Sequence, residues 1–69
     1  MSERSTITAE VGWARRKRVR AYVAQQAVIN AEIRWAEDQY IGGSTFTVSA
    51  PTRTAEAMRA EIDRMGSWL

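Results

Sequence analysis

The stretch "AEIRWAEDQYIGGSTFTV", Ala31–Val48, decides the fold, because helical character gives way to strand character somewhere within it. Its first half is rich in Ala, Glu, Arg and Gln, which are strong or adequate helix formers. No Pro or Gly interrupts the chain from Trp13 to Gln39. This composition predicts one long helix over 13–39. Gly42 and Gly43 can take positive φ and end it. Thr45–Ser49 then alternates polar and apolar residues, with Phe46 and Val48 on one side, and predicts a short strand. Pro51 stops that strand and holds Ala50 extended. Three partners remain open for it: residues just after Pro51, the edge of a neighbouring chain, or "QYI" pairing with "STF" across the glycine turn.

Helical spacing sharpens the expectation for 13–39. Val19, Tyr22, Ile29, Ile33, Ala36 and Tyr40 recur at spacings of three, four and seven, with Gln26 filling the one gap. Ala24, Val28, Ala31 and Trp35 form a second line on the roughly opposite side. A helix that packs only on its own domain needs one stripe. A second stripe gives Val28 and Trp35 a subunit contact. The plainer alternative leaves Ala24 and Ala31 as surface helix formers.

Working outward, "TRTAEAMRAEIDRM" predicts a second, short helix. Thr54 is a suitable N-cap with Glu56 in the first turn. Ala55, Met58, Ile62 and Met65 form its apolar stripe, Glu61 and Arg64 can pair on its outer face, and Gly66 sits where a C′ glycine belongs. Trp68 and Leu69 either fold back over this helix or insert into a partner as interface anchors. At the other end, residues 1–12 are expected to be a flexible lead, in which Thr6 or Thr8 could cap the first helix. The predicted fold class is therefore α+β and helix-dominated: a long helix, a short strand or β-hairpin, and a short C-terminal helix, in a single small domain over 1–69.

Composition narrows the chemistry. Sixty-nine residues support one small core, and chains of this size commonly lean on partner subunits. There is no Cys and no His. Disulfides, thiolate nucleophiles and the usual zinc sites are thereby excluded. No Ser-His-Asp set, Cys-His pair or Gly-rich phosphate loop is present. Glu37 and Asp38 are adjacent, so on a helix they diverge by about 100° instead of converging on a metal. The sequence predicts no enzyme, no metal and no cofactor. No apolar run is long enough for a membrane span, and "MSERSTITAE" has no apolar core of a secretory signal. Three Trp residues, Trp13, Trp35 and Trp68, are many for this length, and Trp is enriched at interfaces.

Charge is unevenly spread. Residues 1–20 carry six basic and two acidic groups, whereas 21–69 carry four basic and six acidic ones. The source is "WARRKRVR", Trp13–Arg20. On a helix Arg15, Arg16, Lys17, Arg18 and Arg20 would encircle the axis, with little apolar backing beyond Ala14, Val19 and Val23. A recognition helix needs such a backing to seat it on its domain. Residues 13–20 therefore predict a projecting basic arm, anchored by Trp13, that meets an acidic protein surface or the phosphates of DNA without sequence reading; a merely solvated helix end and, less favoured for want of a broad apolar face, a membrane surface are the alternatives.

The succession of helix, glycine break, "STFTV" strand and "TRTAEAMRAEIDRM" helix resembles the W-like head-completion proteins of tailed bacteriophages, over about Ala31 to Met65. The resemblance implies a non-enzymatic structural adaptor at the head–tail junction, assembled as a multi-copy ring on portal and tail proteins around the DNA path. It implies a homo-oligomer residing in the virion after synthesis in the host bacterial cytoplasm. In that setting Val28, Trp35, Trp13, Trp68 and Leu69 would serve subunit or partner contacts, and Arg15, Arg16, Lys17, Arg18 and Arg20 would meet the portal or passing DNA. The alternative class is a small basic DNA-binding or host-takeover inhibitor protein.

Overall fold

The computed structural model describes residues 3–65. The chain runs β1 (Arg4–Gly12), α1 (Arg16–Ile29), β2 (Arg34–Tyr40), β3 (Gly43–Pro51) and α2 (Thr52–Arg64). The helices have 14 and 13 residues, and the strands 9, 7 and 9, so the fold is an evenly mixed α+β domain and not the expected helix-dominated one. Gly66, Trp68 and Leu69 lie outside the described residues.

The expected helix over 13–39 is two elements. It stops at Asn30, whose backbone is extended (φ −126°, ψ 106°). The Asn30 side chain supplies the reason. Its Oδ1 accepts the Glu32 N–H at 2.9 Å, while its carbonyl accepts the Ile33 N–H at 3.1 Å. A short amide side chain that bonds locally to the backbone competes with helix continuation. The next residues lie beside β3, and pairing outweighs the helix propensity of Ala36, Glu37 and Gln39. Ile41 and Gly42 form the tight turn of the β2–β3 hairpin; this resembles the "QYI"–"STF" alternative with a shifted register, since Tyr40 pairs with Gly43, Gln39 with Ser44, and Ile41 is in the turn and unpaired.

The expected flexible lead is β1. Ser5, Ile7, Ala9 and Val11 turn inward, and Thr6, Thr8 and Glu10 turn outward with the period of a strand. β1 pairs antiparallel with β3 along its whole length, from Arg4 opposite Pro51 to Gly12 opposite Gly43. The sheet order is β1-β3-β2. β1 and β2 therefore run in the same direction with β3 between them, and α1 carries the chain over the central strand. At Gly43 the two backbones come so close that a Cβ would collide with the carbonyl oxygen of Val11.

Both helices bury their apolar residues against one face of the sheet. Val19 and Val23 of α1 and Ala55, Met58 and Ile62 of α2 share a core with Ala9, Val11, Phe46, Val48 and Ala50. The expected stripe of α2 is the buried one, with Met65 packed at its margin. α2 begins at Thr52, directly after Pro51, and no side-chain cap bond forms, so Thr54 lies inside the helix. Glu61 and Arg64 do pair on its outer face, at 2.5 Å. The opposite face of the sheet carries no helix. It presents Thr6, Thr8, Thr45, Thr47 and Ser49, with Glu10 and Asp38 toward one end and Arg4 and Arg34 toward the other, as the pairing registers place them.

Candidate functional site

The end of the sheet where β1 stops is built from three short segments. Trp13 N–H donates to the Gly42 carbonyl at 2.9 Å, which extends the β1–β3 ladder to the hairpin turn. Arg15 N–H then closes a turn onto the Gly12 carbonyl at 2.9 Å, and α1 starts. Arg16 Nη1 donates to the Gly43 carbonyl at 3.1 Å and to the Tyr40 carbonyl at 3.4 Å. These bonds tie the helix start to the hairpin. They leave Trp13, Tyr40 and Ile41 together at one end with exposures of 68%, 47% and 100%. A bare Ile in a two-residue hairpin turn gains nothing for the fold, since Gly, Asn and Asp are the residues such turns favour.

The basic run rims this apolar tip, but it does not project as an arm. Val19 is fully buried, so the first turns of α1 are seated on the core. Lys17 and Arg18 are exposed and Arg15 is half-buried. No acidic residue stands in the first turn of α1. Arg15, Lys17 and Arg18 sit on the positive end of the helix dipole, where acids would be favourable, and among the described residues none of the three forms an ion pair.

Arg20 belongs to a different structure. Its Nε and Nη2 reach the two carboxylate oxygens of Glu37 at 2.7 and 2.9 Å. Ser44, itself fully buried, donates its hydroxyl to Glu37 Oε2 at 2.6 Å. The Glu37 side chain is 9% exposed and that of Arg20 37%. The Arg20 hydrogen bonds, against the opposing effect of burial, lower the Glu37 carboxyl to a pKa of about 2, with help from Ser44 and the nearby Arg16 charge. Arg20 is thus a clamp between α1 and β2, Arg16 is held on the hairpin carbonyls, and the outward basic set is Arg15, Lys17 and Arg18.

The second stripe foreseen for Val28 and Trp35 does not exist, because the two residues lie on different elements. Trp35 is half-buried in β2 and stacks on Phe46, ring centroids 6.2 Å apart. Val28 is 85% exposed and its neighbour Ile29 71%, in the last turn of α1. The rise of a 14-residue helix places them roughly 20 Å from the Trp13–Ile41 tip. Ile29, Tyr40 and Ile41 were not foreseen as exposed, since helical spacing put Ile29 and Tyr40 on the buried stripe. The glycine pair after Ile41 was the available signal for a turn there.

Among the described residues no three His, Cys, Asp or Glu side chains gather as metal ligands. None of the described helices is long and apolar enough to cross a membrane. No family model matches the chain, and neither a curated protein nor a solved structure matches it significantly.

Proposed function

We propose that the chain is a non-catalytic structural adaptor that joins two protein partners through its opposite ends. One observation carries this reading: among the described residues the large apolar side chains left exposed are gathered at the two ends of the domain, Trp13, Tyr40 and Ile41 at one and Val28 and Ile29 at the other. Contiguous exposed apolar side chains mark interaction sites, and Trp and Tyr are the usual anchors at the centre of an interface. Arg15, Lys17 and Arg18 around the first end suit a partner with an acidic rim, which they steer and orient. The head–tail junction of a tailed bacteriophage is the assembly that the sequence resemblance implies, with a portal ring as the acidic partner and the virion as the location.

The test is binding of the purified chain to purified tailed-phage portal rings, followed by sedimentation. The expected result is co-sedimentation that weakens at least tenfold in Ile41→Ser and in Trp13→Ala, with fold and stability kept. DNA binding is the second reading, and the cations Arg15, Lys17 and Arg18 beside two exposed aromatic rings favour it. A chain that ignores portal rings but binds DNA with a steep salt dependence, lost in Arg15→Gln/Arg18→Gln, would overturn the adaptor reading.

A further inference from the structure

The outer edge of β1 is an open pairing surface. Two bonds fix the phase of the ladder: Thr52 N–H to the Glu3 carbonyl at 3.0 Å, and Trp13 N–H to the Gly42 carbonyl at 2.9 Å. In an antiparallel pair the bonded residues alternate with unbonded ones. Odd-numbered residues of β1 therefore bond to β3, and Arg4, Thr6, Thr8 and Glu10 turn their N–H and C=O groups away from the sheet. Arg4, Thr6, Thr8 and Glu10 are all exposed. Among these groups one has a partner within the described residues, the Thr8 carbonyl, which accepts Arg59 Nη2 at 2.8 Å. Charged side chains over an edge are a usual guard against unwanted pairing, and here a single flexible one covers one carbonyl.

We propose that two copies of this chain pair through β1, antiparallel about a two-fold axis at Ile7, to make one continuous six-stranded sheet. The side-chain pattern of the strand argues for a second copy as the occupant and for this register. With Ile7 opposite its own counterpart, Arg4 of each copy stands across from Glu10 of the other, which its guanidinium reaches on leaving Ser49 and the Glu32 carbonyl, at 3.0 and 2.6 Å in the single chain, and Thr6 faces Thr8. Opposite charges and Thr–Thr pairs directly across a strand pair are favourable. The outward groups coincide with the bonded positions of the new ladder, so each of the four pairs exchanges about two hydrogen bonds. Ile7 is half-buried at the margin of the core, and its counterpart would cover it. Arg59 then leaves the Thr8 carbonyl, whose place is taken by a Thr6 N–H. Head-to-tail addition fits the charges badly. β1 of one copy beside β2 of the next runs parallel, and with the strands level Glu10 meets Asp38, as both lie opposite Thr45.

The edge dimer is independent of the apolar ends, so Trp13→Ala and Ile41→Ser leave it intact and the two proposals fail separately. The chain has no cysteine, which makes a single introduced one diagnostic. Unbonded antiparallel pairs have Cα atoms about 4.5 Å apart, within disulfide range. Ile7→Cys should therefore form a covalent dimer under mild oxidation at least tenfold faster than Thr47→Cys at the sheet centre. Sedimentation equilibrium gives the second arm. Glu10→Arg alone should weaken the dimer at least tenfold, and Arg4→Glu/Glu10→Arg together should return it to within about threefold of wild type. Equal cross-linking at positions 7 and 47, no recovery in the double variant, or a wild-type chain that stays monomeric at several hundred micromolar would each overturn the pairing.

Discussion

Replacing Glu37 by Gln tests the clamp that fixes α1 to the hairpin. The carboxylate accepts two bonds from Arg20 and one from Ser44, at 2.7, 2.9 and 2.6 Å. Gln keeps the shape but turns one acceptor into a donor, so one Arg20 bond is lost and the other is made to a neutral amide oxygen instead of a carboxylate. A hydrogen bond to a charged group is worth about 1.5–3 kcal/mol, and solvent reaching Arg20 reduces this, so Glu37→Gln should cost about 1–2 kcal/mol at pH 7. For a domain of this size that is a fall in Tm of roughly 5–15 °C. The cost should vanish in acid. The carboxyl pKa in the fold, about 2, lies below its ordinary 4.5, so between these values the unfolded chain binds more protons. The stabilisation is complete above pH 4.5 and is lost as pH falls toward 2. Urea unfolding followed by tryptophan fluorescence at pH 7, 4 and 2.5 reads both effects. Equal midpoints at pH 7, or a gap that persists unchanged at pH 2.5, would refute the reasoning.

Three further outcomes follow from the packing. Gly43→Ala forces a methyl against the Val11 backbone and should destabilise by about 1–3 kcal/mol, seen in thermal melts monitored by circular dichroism. Phe46→Ala empties the centre of the core and removes the ring on which Trp35 stacks; a loss of about 3–5 kcal/mol should leave the chain largely unfolded at 37 °C by the same measurement. Ile41→Ser, on a fully exposed side chain, should change stability by no more than about 0.5 kcal/mol in urea titration, so that any loss of partner binding is a loss of contact and not of fold.

The parts of the fold that could be read from sequence are those whose local preferences and tertiary roles agree. α2 is one: Ala55, Met58 and Ile62 keep helical spacing and are all buried. The inner half of β3 is another, with Phe46 and Val48 on the core side. β2 was illegible because Ala36, Glu37 and Gln39 prefer helix in isolation, and only a partner strand reverses the preference. Asn30 carried the local break, but its effect depends on where its side chain bonds. β1 was hidden by its threonines, which suit a helix cap as well as a strand. The basic residues of the candidate site stood out in sequence, yet their division into the Arg20 clamp and an outward set depends on Glu37, which lies 17 positions later. Ile41 was invisible as a tip residue until the hairpin placed it in a turn.

The adaptor account rests on two ends acting separately, and paired end variants measured against one partner test this most directly. Co-sedimentation with purified portal rings should be lost in Ile41→Ser and retained in Val28→Ser/Ile29→Ser. Loss in both variants alike, or in neither, would contradict an adaptor that holds its two partners by opposite ends.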